Sequence, residues 1–236
     1  MDNEIQLGVV LPSAGLGLRL PSNIKKQYRK INGKEILVHT LSNVLNVKYL
    51  KEVIIVVSKD DIAEIKKIIT QYYPAQMNMI NFIEGGTTRQ KSVLNGLCAL
   101  SDYINIVAIH DAVRPFASTA LFDKTVMAAS ISGAAIPVLP INETIKYVEN
   151  KLIEKTINRN NIYTAQTPQV FKKDIIKSAH TVAELNNFEC TDESQVAELA
   201  GVAISTVQGD EYNFKITTVA DIAFAEYLIA SGFIKK

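Results

Sequence analysis

The chain has 236 residues, 47% of them apolar, which is enough to bury a substantial core, and we expect one domain over residues 1–236. Twenty-five Lys and Arg face 24 Asp and Glu, a net charge of +1, so no broad basic field exists to hold nucleic acid or a membrane surface, and any cationic site must be local. Two cysteines, Cys98 and Cys190, are too few for a disulfide scaffold and lack metal-ligand spacing, which suits a reducing compartment, the cytoplasm.

The start is acidic, at Asp2 and Glu4, and the apolar run after it is short, so we expect neither a signal nor a transit peptide. No apolar stretch approaches the roughly 20 residues of a membrane span. Short apolar runs at residues 7–11, 53–57, 79–83, 104–109 and 134–139 read as strands buried on both faces. Helical patterns lie between them, at 36–45, 60–73, 89–100 and 120–132. This alternation predicts an α/β fold, a mostly parallel twisted sheet flanked by helices in the Rossmann-like manner. Ligands in such sheets bind beyond the carboxyl ends of the strands, so the loops after each strand are the places to search.

After Leu139 the rhythm changes. Residues 140–157 are polar, alternate as in TIKYV and show no helix-length apolar face, which predicts a projecting β-arm at about 140–160 turning near Glu149 and Asn150. The chain then returns through Pro168, two helices and a short strand near 202–207. A last helix starts around Thr218, where TVAD has the form of a capping box with Asp in place of Glu.

Three loops carry the chemistry. The first places Gly15 and Gly17 after the opening strand, followed by Arg19, Lys25 and Lys26. Glycines let backbone N–H groups approach a phosphate, and the cations offset its charge. The same residues also suit a glycine turn followed by a solvated basic face. A dinucleotide fingerprint would need glycine where Leu20 stands, and a Walker loop would need Gly-Lys-Ser/Thr, which is absent. The second loop, EGGTTRQKSV, sets Gly85 and Gly86 before Arg89 and Ser92 at a helix start, suited to an anion or a carbonyl-bearing base, though it is also a common strand-to-helix turn. The third, HDAVRP, puts Asp111 and Arg114 at a strand end. There a carboxylate can hold a divalent cation or a substrate hydroxyl and Arg can grip phosphate; alternatively the Asp caps a turn and pairs with the Arg.

His39 reads as a core histidine, His180 as a surface one, and His110 as orienting its neighbour. No G-x-S-x-G elbow or H-E-x-x-H occurs, and neither cysteine has an evident histidine partner. Phosphate-handling groups remain, without a protein nucleophile.

Taken in order, SAGLGLRL, KKQY, GGTTRQKSV, HDAVRP, ETIK, INRN, QTPQVF, TDES and NFKITTVADIAFAE resemble the methylerythritol-phosphate cytidylyltransferase family along almost the whole chain. The resemblance implies a nucleotidyltransferase fold of the sugar-nucleotide pyrophosphorylase kind. It also implies CMP transfer from CTP to a polyol phosphate, 2-C-methyl-D-erythritol 4-phosphate, with Mg2+ or another divalent cation. By the same resemblance the backbone at Ala14, Gly15 and Gly17 would embrace the triphosphate, and Gly86, Arg89 and Ser92 would read cytosine and ribose. Arg19 and Lys26 would stabilise the transition state. Asp111 would meet ribose, metal and acceptor, with Arg114 close by, and Thr191 and Lys215 would lie near the acceptor phosphate. Thr144 and Arg159 would reach a neighbouring subunit's site from the arm, implying a homodimer with shared sites. Ribitol 5-phosphate is a rival acceptor; an inactive nucleotide-binding module is a rival of another class.

The chain departs from the family pattern in four places. Ser13 replaces a usual Ala, Leu18 a basic residue, Lys25 a proline and Thr87 a frequent Asp. Without that proline, whose ring fixes φ, the loop carrying Lys26 is expected to be less restricted.

Overall fold

The computed structural model describes residues 4–15 and 25–234. In chain order these form β1 (Leu7–Pro12), β2 (Lys30–Ile31), β3 (Lys34–Glu35), α1 (Ile36–Val44), β4 (Leu50–Val57), α2 (Ile62–Tyr72), β5 (Ile80–Glu84), α3 (Arg89–Ala99), β6 (Ile106–Ile109), α4 (Thr119–Ser132) and β7 (Ala134–Pro140). There follow β8 (Ile145–Glu149), β9 (Leu152–Ile157), β10 (Tyr163–Ala165), β11 (Gln169–Lys172), α5 (Lys173–Leu185), α6 (Glu193–Leu199), β12 (Ser205–Gln208) and α7 (Val219–Ala230).

The strand order β10-β7-β11-β6-β1-β4-β5, with β12 beside β7, makes one mixed sheet. Its core is parallel: β1 pairs with β4 and β6, and β4 with β5. Strand β11 enters antiparallel between β6 and β7, and β10 pairs antiparallel with β7. The expected sheet is therefore present, with its crossover pattern interrupted by a strand that the apolar-run reading did not separate from the loop around Pro168.

Period-2 alternation distributes the core over both faces. Val9, Leu11, Val53, Ile55 and Val57 pack with residues of α1, α2 and α4. Val10, Ile54, Val56, Val107 and Ile109 pack with α3, α5 and α6 on the other side. Helix α3 comes close to the sheet at Gly96, where an added Cβ would lie 2.5 Å from a Val10 methyl and 3.1 Å from a Val56 methyl. That close seat fixes the height at which the N-terminus of α3 meets the end of β5.

The arm is the antiparallel hairpin β8–β9. Its turn at Asn150 and Lys151 has φ of 50° and 66°, the left-handed values a tight hairpin uses. Tyr147, Val148, Leu152 and Ile153 are exposed on it. The expected capping box of α7 is formed: the Thr218 side chain accepts from the Asp221 N–H at 3.2 Å, and Asp221 accepts from the Thr218 N–H at 2.7 Å. Among the described residues no helix is long and apolar enough to cross a membrane.

Candidate active site

Parallel strands deliver their carboxyl ends to one edge, and the loops there meet. After β1, the Ser13 N–H donates to Val56 O at 2.7 Å; after β5, the Gly85 N–H donates to Val57 O at 2.8 Å; after β6, the His110 N–H donates to Val10 O at 3.0 Å. Gly85 lies so close to the first loop that a Cβ there would be 2.5 Å from the Ala14 Cβ. The three loops, with Lys26, Gln27 and Lys215, enclose a cavity of about 480 Å3 whose walls include Ala14, Gly15, Gly86, Arg89, Ser92 and Asp111. That volume is of the size that holds a small ligand.

The second loop is held by its own helix. Ser92 Oγ accepts from the Gly86 N–H at 3.0 Å and donates to Thr88 O at 2.9 Å, while Thr88 caps α3 by accepting from the Lys91 N–H. Ser92 is thus engaged in shaping the glycine turn while it lines the cavity.

Asp111 is buried and has three cations around it. Lys215 Nζ lies 2.9 Å from Oδ2, Arg114 Nε 3.3 Å from Oδ2, and Arg89 Nη2 3.8 Å from Oδ1. Burial by itself would raise its pKa, but the charges of Lys215, Arg89 and Arg114 outweigh burial and hold the carboxyl well below the usual range. The Asp111 N–H donates to Thr167 Oγ1 at 3.0 Å, and Thr167 Oγ1 is 2.9 Å from His110 Nδ1. His110 Nε2 is 3.2 Å from Arg114 O, so Nε2 carries the proton and Nδ1 accepts from Thr167. His110 therefore orients its neighbour through Thr167.

Arg114 does not line the cavity; it spans Asp111 and Asn213 O, the latter at 2.7 Å. Lys215 reaches the site because the Ile216 N–H donates to Val113 O at 2.9 Å and the buried Asn213 amide donates to Thr167 O at 2.8 Å. Arg89 meets Glu193 fork to fork, both contacts at 2.9 Å. Burial would lower the pKa of Arg89, but Glu193 and Asp111 more than compensate and keep it charged. Gln27 donates through its amide to Ser13 O and, at 3.3 Å, to Gly15 O.

Gln27, Thr167, Glu193 and Asn213 carry no chemical pattern of their own in the sequence, although KKQY, QTPQVF, TDES and NFKI contain them. Their signal was a polar residue inside a motif, and only the partner shows its use.

Other expected site residues lie elsewhere. Gly17 and Arg19, with Leu18, are outside the described residues. Thr191 is exposed and bonds Gln195 at 3.1 Å, away from the cavity wall. Thr144 and Arg159 are exposed on the arm, where Arg159 donates to Asn142 O, and neither lines the cavity of its own chain.

One expectation is corrected. His180 is not at the surface: it is 0% exposed on α5, and neither ring nitrogen has a hydrogen-bond partner among the described residues. Burial, helped by the charge of Arg89, pushes its pKa down to about 4. At the turn carrying Lys26, where the resemblance expects a proline, Lys25 supplies other contacts. Lys25 has φ −59° and ψ 140°, within the range of a proline ring, and its ammonium is anchored on Asp61 at 2.6 Å and Ser58 at 2.7 Å.

The site's chemistry suits a polyanion: Lys26, Arg89, Arg114 and Lys215 stand against the two carboxylates Asp111 and Glu193. Among the described residues no group of three or more His, Cys, Asp or Glu is arranged to hold a metal ion. Among the described residues Asp111 is the carboxylate in the cavity wall.

The family model for 2-C-methyl-D-erythritol 4-phosphate cytidylyltransferase matches residues 7–231. The enzyme of that name from Geotalea uraniireducens is 35% identical over 229 residues, covering 96% of this chain and 98% of its own length. That from Halalkalibacterium halodurans is 36% identical over 226 residues, with the same coverage of 96% and 98%. Among solved structures, the 4-diphosphocytidyl-2C-methyl-D-erythritol synthase of Anaerococcus prevotii matches with a TM-score of 0.83 at 34% identity, over 97% of both chains. The 2-C-methyl-D-erythritol 4-phosphate cytidylyltransferase of Thermus thermophilus matches with a TM-score of 0.78 at 30% identity, over 94% of this chain and 98% of that one. With a cavity built from glycine loops and cations at the strand ends, and with matches of this extent, the chain belongs to the 2-C-methyl-D-erythritol 4-phosphate cytidylyltransferase family.

Proposed function

We propose that this protein transfers CMP from CTP to 2-C-methyl-D-erythritol 4-phosphate, giving 4-diphosphocytidyl-2-C-methyl-D-erythritol and pyrophosphate. The observation that carries the reading is the cavity in which two glycine loops, Lys26, Lys215 and Asp111 meet at the carboxyl edge of the sheet.

The acceptor is a phosphate monoester whose second pKa is about 6, so its oxygen is anionic at neutral pH and needs no general base. That oxygen attacks the α-phosphorus of CTP, the bond from α-phosphorus to the bridging oxygen breaks, and pyrophosphate leaves in line. The obstacle is electrostatic, because two anions approach while charge builds on the oxygens between them. Lys26, with Arg19, stabilises that charge. The backbone at Ala14, Gly15 and Gly17 cradles the triphosphate, and the turn at Gly86, held in shape by Ser92, receives cytosine. Arg89, braced by Glu193, faces the ribose side, and Lys215 takes the acceptor phosphate beside Asp111.

A divalent cation such as Mg2+ fits a donor set of one cavity carboxylate, Asp111, supplemented by the nucleotide's own phosphates. When bound, it neutralises phosphate charge. The exposed apolar residues of the β-arm support a two-fold dimer in which Thr144, Arg159 and Thr191 complete an acceptor site from both chains, and the two cysteines without disulfide or metal spacing suit the cytoplasm.

The test is a pyrophosphate-release assay across a panel of polyol phosphates. Release should require CTP, methylerythritol phosphate and a divalent ion together. Preference for ribitol 5-phosphate, or binding of CTP without turnover, would overturn the reading, and an isolable nucleotidyl-enzyme would overturn direct displacement.

A further inference from the structure

The two consecutive lysines of KKQY point to different places. Lys26 lines the cavity; Lys25 does not, and its ammonium lies between Ser58 and Asp61 beyond the end of β4. Asp61 Oδ2 gathers three donors: Lys25 Nζ at 2.6 Å, Ser58 Oγ at 2.9 Å and the Tyr28 hydroxyl at 3.1 Å. The side chains of Lys25 and Asp61 are 25% and 17% exposed, so the pair is only partly screened by water.

The contacts bracket one short helical turn, Lys26–Tyr28. Lys25 stands at its entry and Tyr28 at its exit, and both are tied to the same carboxylate oxygen. Between them Gln27 is tied to the other neighbouring loop, through Ser13 O and Gly15 O. The turn is thereby held from two sides, and the one residue facing the cavity with a cationic end is Lys26. A turn this short has almost no internal hydrogen bonding to hold its shape; the described bonds are Tyr28 N–H to Lys25 O at 3.0 Å and Arg29 N–H to Lys26 O at 3.2 Å. Its orientation must come from outside.

We propose that Asp61 is a positioning residue for the reaction: by clamping Lys25 and Tyr28 it sets where the Lys26 ammonium stands, doing through a side-chain ion pair what a proline ring at position 25 would do through the backbone. Asp61 lies outside the cavity wall and acts only through the turn. The proposal rests on the reading that Lys26 acts on the nucleotide. Preorganised charge loses its effect steeply with misplacement, so loosening this clamp reaches kcat without touching a substrate atom.

The backbone at Lys25 makes the proposal sharp, because φ −59° is already a proline value. Steady-state kinetics are measured for Asp61→Asn, Lys25→Met, the double variant Lys25→Met/Asp61→Asn, and Lys25→Pro/Asp61→Asn. Each single variant should lose about tenfold in kcat with KM for CTP nearly unchanged, since the misplaced group remains present. The Met/Asn double variant should be no worse than Asp61→Asn alone, because changing Asp61 already releases Lys25 along with Tyr28. Lys25→Pro in the Asp61→Asn background should recover most of the lost kcat. Wild-type kcat in Asp61→Asn, additive losses in the double variant, or no recovery with proline would each overturn the proposal. Hydrogen exchange at the Tyr28 and Arg29 amides reads the clamp without catalysis and should quicken in Asp61→Asn; unchanged exchange would also overturn it. If Lys26→Ala keeps full kcat, the role given to Lys26 fails by itself, and the exchange result still judges the clamp.

Discussion

Arg89 and Glu193 lie 104 positions apart in the chain and meet with Arg89 Nη1 2.9 Å from Glu193 Oε1 and Nη2 2.9 Å from Oε2. Glu193 is completely buried, and its place as the first residue of α6 ties that helix to the first residue of α3. The pair stiffens the wall of the cavity from behind. Glu193→Gln keeps the shape but leaves the Arg89 charge poorly matched. It should cost about 2 kcal/mol, less than for a wholly buried pair because Arg89 keeps some solvent contact. A urea midpoint equal to that of the wild type would refute this.

Asp111→Asn should chiefly impair use of the acceptor or the metal, with a raised KM for methylerythritol phosphate and a smaller effect on CTP. Its native pKa is lowered, so its ion pairing stabilises the fold fully above the ordinary carboxylate value of about 4 and is lost only as pH falls through the lower native value. The stability gap between wild type and Asp111→Asn should therefore stay level from neutral pH down to about 4 and narrow below it. A gap that closes between pH 7 and 5 would contradict the assignment.

Lys26→Ala should lower kcat on the order of a hundredfold while KM changes little, because its charge is needed most where charge develops. Arg19→Lys should also be slow, since an ammonium cannot reproduce a planar fork. Unchanged kcat in both variants would remove these roles.

The arm supplies a test of assembly. Lys26→Ala and Arg159→Ala are refolded together. If Arg159 serves the partner's site, one site of each mixed dimer is intact and the other carries both lesions. Random pairing makes about half the dimers mixed, so activity should return to roughly a quarter of wild type. If Arg159 serves its own chain, every site keeps a lesion and mixing restores nothing.

His180 predicts an acid-sensitive fold. Its native pKa of about 4 lies below the unfolded value, so the unfolded chain takes up the proton first as pH falls. The contribution is present above about 6.5 and is lost progressively toward 4, on the order of 3 kcal/mol in all. His180→Leu should flatten that part of the profile and leave stability at pH 7 equal or higher, since it removes two buried nitrogens that have no hydrogen-bond partner among the described residues. Urea melts at pH 7 and 5 give the comparison, and an equally steep loss in the variant would exclude His180 as the source.

Much of the fold was legible because apolar runs and helical periodicities are local records of burial. The runs at 53–57 and 134–139 fall within β4 and β7, and the arm appeared as polarity with alternation where β8 and β9 stand. The two short antiparallel strands β10 and β11 were not legible. Three and four residues beside a proline carry too little pattern to be told from a loop, and their pairing is set by strands far away in sequence. The three loops were legible as glycine- and charge-bearing turns at strand ends, which the structure brings to one cavity, but what each side chain holds was not.

By itself the sequence determined which segments could be buried strands and helices, where glycines open the turns after the strands, and how α7 begins, because each depends on residues within a few positions. Only the tertiary structure decided that Lys215, Arg89 and Arg114 share Asp111, that Arg89 is committed to Glu193, and that Lys25 turns away to Asp61 while Lys26 faces the cavity. It also decided that His180 is buried, with no hydrogen-bond partner among the described residues. A charged or polar side chain has the same identity in solvent, in an ion pair or in a core. Which of these it occupies depends on the loops that sheet closure brings within a few ångströms, and no local pattern records that.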